Sequence, residues 1–283
     1  MISQGVIYAV LIGIVLTGVI PLIGGITLLA IGKLKGSSFW AGVLAFIIAS
    51  IATGIVAGIF SFSTALNSGG TELVADIPLW QTIVISVLSA VILGFAMLIL
   101  VKCCMKARTF KAAISAGLGF GIPQLIVIAI GFVSMYLTFS QINSGAFDQI
   151  YAMNVDMGYM TKELVAEMKS IYTSLTVNDI IAQILAAFGN VLLMAAAAIV
   201  IMLFVTKKKA ILGTLAVIGG ISVTSVVTSV ISDLLVASVI ALAIGAAAFI
   251  FAYRMKGSIK EPEKPTYAND AFMQSIESVK EDN

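Results

Sequence analysis

The sequence predicts an all-α fold, a polytopic membrane bundle of about seven transmembrane helices. Hydrophobic residues make up 60% of the 283-residue chain and charged residues only 11%, whereas soluble domains carry about 25% charged residues. Long uncharged stretches reach the roughly 20 residues that a helix needs to cross the hydrocarbon layer. The mean hydropathy of +1.12 agrees with both observations. These properties exclude an ordinary soluble domain and give no basis for nucleic-acid binding.

Seven apolar segments follow one another along the chain. The first one is too long for the apolar region of a signal peptide and lacks a preceding basic region, so we expect it to remain as a helix. The sixth and seventh segments share one apolar run, which is broken only around Ser232 and Asp233. The predicted spans are residues 5–31, 39–62, 79–101, 112–140, 180–205, 210–231 and 234–253.

Basic residues occur in alternate loops and therefore predict an orientation. Cytoplasmic loops of membrane proteins collect Lys and Arg, and the intervening loops here are acidic or neutral, with Glu72, Asp76 and Asp233. The pattern predicts an outside N-terminus and a cytoplasmic C-terminus in a bacterial plasma membrane. The basic clusters are Lys33 and Lys35; Lys102, Lys106, Arg108 and Lys111; Lys207, Lys208 and Lys209; and Arg254, Lys256 and Lys260.

Two segments outside the spans have patterns of their own. In residues 159–172, Leu164, Met168, Ile171 and Tyr172 recur at helical spacing, and Thr161 stands at a possible N-cap position. This pattern indicates an amphipathic helix that serves as a lid on the bundle or lies on the outer membrane surface. Residues 257–283 form a polar cytoplasmic tail, in which a short apolar face is formed by Phe272, Ile276 and Val279.

The residue types needed for common catalytic sites are missing from the sequence. There is no histidine, and the only cysteines are the adjacent Cys103 and Cys104, whereas a zinc site needs about three convergent ligands. The chain also lacks a Walker A motif. We therefore predict no catalytic residue, no metal site and no cofactor. Asp179 and Asp233 lie at helix ends, where capping is the favoured interpretation.

Neutral polar side chains are present inside the apolar segments. Gln124 lies in the fourth segment, and Gln183 and Asn190 lie seven residues apart on one face of the fifth. Such groups usually join helices or bond to their own backbone. The functional alternative is a polar cavity in which Gln124 and Asn190 contact a substrate or peptide. A hydroxyl stripe in the sixth segment comprises Ser222, Ser225, Ser229 and Ser232.

Glycine pairs predict close contacts between helices. Small residues spaced four apart let two backbones approach each other, and two segments contain such pairs. Pro21 and Pro123 are expected to kink the first and fourth helices and to free a backbone carbonyl in each. The pairs are Gly54 and Gly58 in the second segment and Gly117 and Gly121 in the fourth.

Residues 109–124 give the fourth segment a resemblance to a known family. The stretch Gly117-Leu118-Gly119-Phe120-Gly121-Ile122-Pro123-Gln124 resembles the helix of the YhfC-type intramembrane metallopeptidases, which are relatives of the PrsW and CAAX-protease-like enzymes. That family has Gly-x-Gly-His-Gly-Gly-x-Glu at this place. Phe120 stands in the histidine position and Gln124 in the glutamate position, while Ile122 replaces a glycine. The family's paired glutamates fall on Ile92 and Leu93.

The resemblance implies a degenerate member of the family, a pseudo-protease that has kept the Gly117, Gly119 and Gly121 frame. Its expected function is to hold a membrane peptide, lipid or partner subunit in a vestigial cleft. The expected partners are the lipid bilayer and a membrane protein or a second copy of this chain. The predicted binding residues are Phe120, Pro123, Gln124, Gln183 and Asn190.

Two other functions remain open from the sequence. The chain could be a small permease, or the membrane subunit of an ATP-driven transporter whose ATPase is a separate protein. It could also be a protease of unfamiliar chemistry, in which case Asp179, Asp233 or Glu72 should be required for activity.

Overall fold

A computed structural model describes residues 1–67, 79–105, 108–158 and 160–259 of the chain. All regular secondary structure in these ranges is helical, and seven helices are long and apolar enough to cross a membrane. The predicted all-α fold with seven spans is therefore confirmed. Glu72, Asp76, Lys106 and the tail beyond residue 259 lie outside the described residues, so the apolar face predicted in the tail stays a prediction.

The described helices are numbered in chain order, and seven of the nine are spans. α1 contains a π-helical turn at Val15–Val19, and a second π-helical turn, Leu100–Cys104, prolongs α3. Two shorter helices, α5 and α6, connect the fourth and fifth spans. The bounds are α1 Gln4–Ala30, α2 Gly36–Asn67, α3 Leu79–Ile99, α4 Phe110–Ser144, α5 Ala146–Asp156, α6 Lys162–Ser174, α7 Val177–Thr206, α8 Ala210–Val230 and α9 Leu234–Arg254.

Helix α7 forms the centre of the bundle. It packs most extensively against α9 and α4, and it also contacts α1, α3 and α8. Its sequence explains this position, because the run Ala195, Ala196, Ala197 and Ala198 is fully buried and presents little side-chain volume to its neighbours. The dispersion contacts of such tightly packed helices are a main source of association in a lipid environment.

Glycines set the closest approaches between helices. A Cβ added to Gly119 would lie 2.0 Å from the carbonyl oxygen of Phe39 in α2, and one added to Gly42 would lie 2.2 Å from that of Ala116 in α4. Gly117 and Gly121 face the backbone of α7 in the same way, at Ala195 and Val191. The frame formed by Gly117, Gly119 and Gly121 thus lies between α2 and α7.

Within the described part of the chain, nothing packs on Gly54 and Gly58, so the close contact expected at this pair stays a prediction. Both residues are exposed on α2, and a Cβ added to either would meet nothing within 4 Å. The pair is capable of close packing, but in this chain no described helix covers that face of α2. The closest glycine contact elsewhere joins α7 and α9, where a Cβ on Gly245 would lie 2.2 Å from the carbonyl oxygen of Gly189.

The prolines in α1 and α4 are accommodated within continuous helices. The π-helical turn of α1 ends two residues before Pro21, and the Thr17 hydroxyl in this turn donates to the Gly13 carbonyl over 2.7 Å. Pro123 lies inside α4, and because proline has no N–H it leaves the carbonyl four residues earlier without its helical partner. The distortion of α1 therefore takes the form of a wider turn.

One end of the bundle is closed by α5 and α6. Thr161 is the N-cap of α6, accepting a hydrogen bond from the N–H of Leu164 over 3.2 Å, as predicted. Met168 and Tyr172 pack on the apolar cluster around Phe139 and Phe147, which agrees with a structural lid. Ile171 was predicted on the same face, but it is 46% exposed, because α6 turns only part of its apolar stripe towards the bundle.

The opposite end of the bundle contains most of the described basic residues and is called the lysine-rich end below. Lys111 of α4 donates to the carbonyl of Gly32 after α1, and the backbone N–H of Lys35 donates to the Ser115 hydroxyl over 2.8 Å. The Lys256 ammonium lies 5.6 Å from the ring centroid of Phe110. The alternation of helix directions thus brings the described basic clusters of the loops to one end. That this end faces the cytoplasm stays a prediction.

Candidate functional site: a polar cleft halfway along the helices

A cleft of about 450 Å³ opens where five spans meet. It lies between α2 and α4, and α3, α7 and α8 complete its walls. Seven of its lining residues are apolar and six have hydroxyl or amide side chains. The lining residues are Phe46, Ser50, Thr53, Ser89, Leu93, Phe120, Gln124, Val127, Ile128, Asn190, Met194, Ile221 and Ser225.

The cleft lies at the depth of the membrane interior. Phe120 and Gln124 are 10 and 14 residues beyond Phe110, the start of α4, which corresponds to about 15 and 21 Å along the helix axis. Asn190 is 13 residues beyond Val177, the start of α7, or about 20 Å. The hydrocarbon layer is about 30 Å thick, so these side chains are distant from both aqueous surfaces.

Two aromatic rings form the floor of the cleft. Phe46 and Phe120 meet edge to face, with ring centroids 5.7 Å apart and an interplanar angle of 87°. Directly below them, towards the lysine-rich end, lies the contact between Gly42 and Gly119. Helices α2 and α4 touch at this contact, and the cleft occupies the space above it. Ser50 and Val127 are exposed at its rim, so the cleft opens sideways.

The amides of Gln124 and Asn190 are the strongest polar groups in the cleft. Both residues are half-buried, and within the described ranges neither amide has a hydrogen-bond partner. The Thr53 hydroxyl, by contrast, donates to the carbonyl of Ala49 over 2.9 Å and is satisfied by its own helix. The two amides therefore offer free donors and acceptors to whatever occupies the cleft.

Three of the five predicted binding residues come together in this cleft. Phe120, Gln124 and Asn190 all line it. Pro123 and Gln183 do not, because Pro123 points to a different face of α4 and Gln183 lies two turns along α7 towards the α6 end. Gln183 is half-buried there.

The hydroxyl stripe of α8 contributes one residue. Ser225 lines the cleft, whereas the Ser229 hydroxyl bonds to the carbonyl of Val226 in its own helix over 2.9 Å. Ser232 lies beyond Val230, the end of α8, and is exposed. The stripe therefore does not form one continuous polar surface, because the helix ends before its last member.

Sequence reasoning missed the polar residues that α2 and α3 bring to the cleft, which are Ser50, Thr53 and Ser89. Isolated hydroxyls in apolar segments are common, since they bond readily to their own helix. Only the arrangement of the spans around the cleft distinguishes these three from hydroxyls elsewhere.

The chemistry available to the cleft is that of neutral hydrogen bonding and apolar contact. Of the described residues that line it, none carries a charge. Within the described ranges, no group of three His, Cys, Asp or Glu side chains could hold a metal ion. Leu93, at one of the paired-glutamate positions of the resemblance, lines the wall as an apolar residue.

The two acids considered in the sequence both cap helices. Asp179 accepts from the N–H and the hydroxyl of Thr176, each over 2.7 Å, in a reciprocal capping box at the start of α7. Asp233 accepts from the N–H of Val236 over 3.0 Å at the start of α9. Both positions lie at helix ends rather than in the cleft, which agrees with the favoured interpretation of each as a cap.

No protein-family model, no curated protein and no solved structure matches this chain. The resemblance of residues 109–124 to the YhfC-type metallopeptidases stays a prediction.

Proposed function

We propose that this protein is a catalytically inactive, intramembrane-peptidase-like membrane protein that binds a membrane-embedded ligand in the cleft between α2 and α4. The ligand is a membrane peptide, a lipid or a segment of a partner subunit. Gln124 and Asn190 would bind its polar group, and Phe46 and Phe120 would contact its apolar part.

The observation that carries this proposal is the pair of unpartnered amides at the depth of the hydrocarbon layer. An amide without hydrogen bonds in an apolar medium costs several kcal/mol. Two such groups in one cleft need water or a polar ligand group to complete their bonding. The backbone amides and carbonyls of a peptide, or the ester groups of a lipid, provide matching donors and acceptors.

The sideways opening of the cleft favours a ligand that arrives through the bilayer. Ser50 of α2 and Val127 of α4 are both exposed where they line the cleft. A membrane peptide or lipid can therefore reach Gln124 without crossing an aqueous interface.

Loss of catalysis is supported by the residues at the positions that the resemblance assigns to chemistry. Phe120 is 1% exposed and is packed against Phe46, so an apolar ring fills the place of a metal-binding histidine. Gln124 keeps the shape of a glutamate but does not accept a proton. The described lining of the cleft contains no other nucleophile than hydroxyl groups, and no base that would activate them.

Site-specific photo-cross-linking tests the proposal. A benzophenone amino acid replaces Val127, which is 57% exposed at the rim, or Ile23 on α1, which is 59% exposed and lies outside the cleft. We expect a discrete adduct from position 127 in native membranes, and mass spectrometry will identify it as peptide or lipid. Gln124→Ala together with Asn190→Ala should remove that adduct.

Equal adducts from positions 127 and 23 would contradict the proposed cleft, since they would report only contact with bulk lipid. A separate assay addresses the absence of catalysis. The purified protein is incubated with zinc and with membrane-peptide substrates, and stoichiometric zinc binding or multiple turnover would refute the pseudo-enzyme part of the proposal.

The second candidate function is a permease or the membrane subunit of an ATP-driven transporter. The observation in its favour is that Ser225 of α8 lines the same cleft as Gln124 and Asn190, and that all five spans around the cleft contribute a polar side chain to it. A transporter should move a solute across proteoliposomes or co-purify with an ATPase. A binder should do neither, and should instead retain its ligand through purification.

A further inference from the structure

A second cavity, of about 580 Å³, lies at the lysine-rich end between α3 and the start of α8. Lys102 enters it from the π-helical turn after α3, and Lys208 and Lys209 enter it from the connection between α7 and α8. Below these lysines the lining is apolar and consists of Ala210, Ile211, Leu212 and Leu215.

The charges around this cavity are not balanced by the described part of the chain. Asp148, Asp156, Glu163, Glu167, Asp179 and Asp233 are the described acids, and all of them belong to the opposite end of the bundle. The start of α8 adds to the positive potential, because its N-cap Lys209 makes no side-chain cap bond and its first turn contains no acid. The cavity is therefore complementary to an anion.

Lys208 occupies a backbone position that normally belongs to glycine. Its φ is +58°, in the left-handed region, and its N–H donates to the carbonyl of Val205 over 3.1 Å at the end of α7. Helices commonly end with glycine in this conformation. A lysine here accepts backbone strain and places an ammonium group in the cavity.

The apolar residues continue from the lysines into the membrane. Ile211 is 73% exposed, Leu212 56% and Leu215 57%, and all three belong to the first two turns of a membrane-spanning helix. A small soluble anion would use only the lysines. A lipid would use both parts, with its head group at the lysines and its acyl chains against the isoleucine and leucines.

We infer that this surface is a binding site for an anionic phospholipid. The phosphate group of the lipid lies between Lys102, Lys208 and Lys209, and its acyl chains cover Ile211, Leu212 and Leu215. This site is separate from the polar cleft and does not depend on the function proposed for it.

Native mass spectrometry of the full-length protein in detergent tests the site, with phosphatidylglycerol and phosphatidylcholine as the two lipids. Each lysine near a membrane surface contributes about a fivefold preference for anionic lipid. The variant Lys102→Gln/Lys208→Gln/Lys209→Gln should therefore lose on the order of 100-fold in its preference for phosphatidylglycerol. The matched control, Lys33→Gln/Lys35→Gln/Arg254→Gln, removes the same charge at the same end outside the cavity and should keep the preference.

Lys208→Gly separates binding from folding. It relieves the left-handed strain, so we expect equal or higher thermal stability together with a severalfold weaker affinity for phosphatidylglycerol. Unchanged affinity in this stable variant would overturn the inference. An equal loss in the triple variant and its control would also overturn it, because charge at this end would then act without a defined site.

Two further outcomes would assign the cavity to another occupant and would likewise overturn the inference. Inorganic phosphate that competes at the same concentration as the lipid would indicate a soluble anion. Phosphatidylglycerol binding that is seen only after removal of residues 260–283 would indicate the acidic tail of this chain, which contains six Asp and Glu residues and three lysines.

Discussion

The substitution Gly119→Ala tests the helix contact below the polar cleft. The added Cβ would lie 2.0 Å from the carbonyl oxygen of Phe39, 2.8 Å from its carbonyl carbon and 3.0 Å from its Cα, whereas ordinary van der Waals contact begins at 3.4 Å. All three atoms belong to the backbone of α2. No side chain can rotate away to make room, so α2 and α4 must separate.

The cost of this separation follows from two opposing effects. Overpacking of a tight site costs about 1–3 kcal/mol, and a backbone clash belongs at the upper end of that range. Alanine regains about 1 kcal/mol over glycine from its higher helix propensity. We therefore expect Gly119→Ala to lower the free energy of unfolding by about 2 kcal/mol.

Gly54→Ala is the matched control, since it makes the same change in α2 where a Cβ would meet nothing within 4 Å. It should raise the free energy of unfolding by about 0.5–1 kcal/mol. Gly42→Ala should be destabilising like Gly119→Ala. Because one separation of the helices relieves both clashes, the double variant should lose about 1 kcal/mol less than the sum of the single variants.

Reversible unfolding in mixed micelles, followed by circular dichroism, measures these differences. Equal effects of Gly119→Ala and Gly54→Ala would refute the reasoning, because they would show that α2 and α4 do not approach as closely as the structure places them. Strict additivity of Gly42→Ala and Gly119→Ala would show that the two glycines belong to separate contacts.

Three other predictions concern the cleft, a helix cap and the orientation. Gln124→Leu and Asn190→Leu should each raise the free energy of unfolding of the ligand-free protein by about 1 kcal/mol, since each removes an unpartnered amide. Each should also abolish cross-linking from position 127. A lower free energy of unfolding would indicate that the amides bond within the bundle. Thr176→Ala removes the hydroxyl of the capping box and should cost about 1 kcal/mol in a chemical unfolding experiment, with no change in cross-linking. An impermeant thiol reagent should label Cys103 only from the cytoplasmic side of oriented vesicles, and labelling from the outside alone would reverse the predicted topology.

The spans could be predicted from the sequence because the membrane makes length and hydropathy decisive. In lipid, an uncharged stretch of this length forms a helix, because a helix makes all the hydrogen bonds of its own backbone. Local signals were equally informative, as at Thr161, where a side-chain oxygen meets the first N–H groups of a helix. Helix α5, Ala146–Asp156, was not predicted, because its composition is mixed and its apolar residues do not reach the length of a span.

The glycines show where sequence reasoning stops. The pair Gly54 and Gly58 has the spacing of a packing motif and meets nothing in the described part of the chain, while the single Gly42 makes one of the closest contacts. Small residues permit two helices to approach each other, and only the arrangement of the whole bundle decides which ones do. The same limit applies to Ser50 and Ser89, since their place in the cleft depends on which spans are neighbours.

The position of the cleft follows from the contacts that α4 makes with α2 and α1. Towards the lysine-rich end, Gly119 brings α2 into backbone contact, and the rings of Phe46 and Phe120 close the space above that contact. Further along, α4 packs on α1, where a Cβ on Gly18 would lie 2.9 Å from the Cβ of Ala129. Gln124 lies between these two contacts and lines the cleft. The glycine contact thus fixes the position of the rings at the floor of the cleft, so a change at Gly119 should alter ligand binding at Gln124 as well as stability.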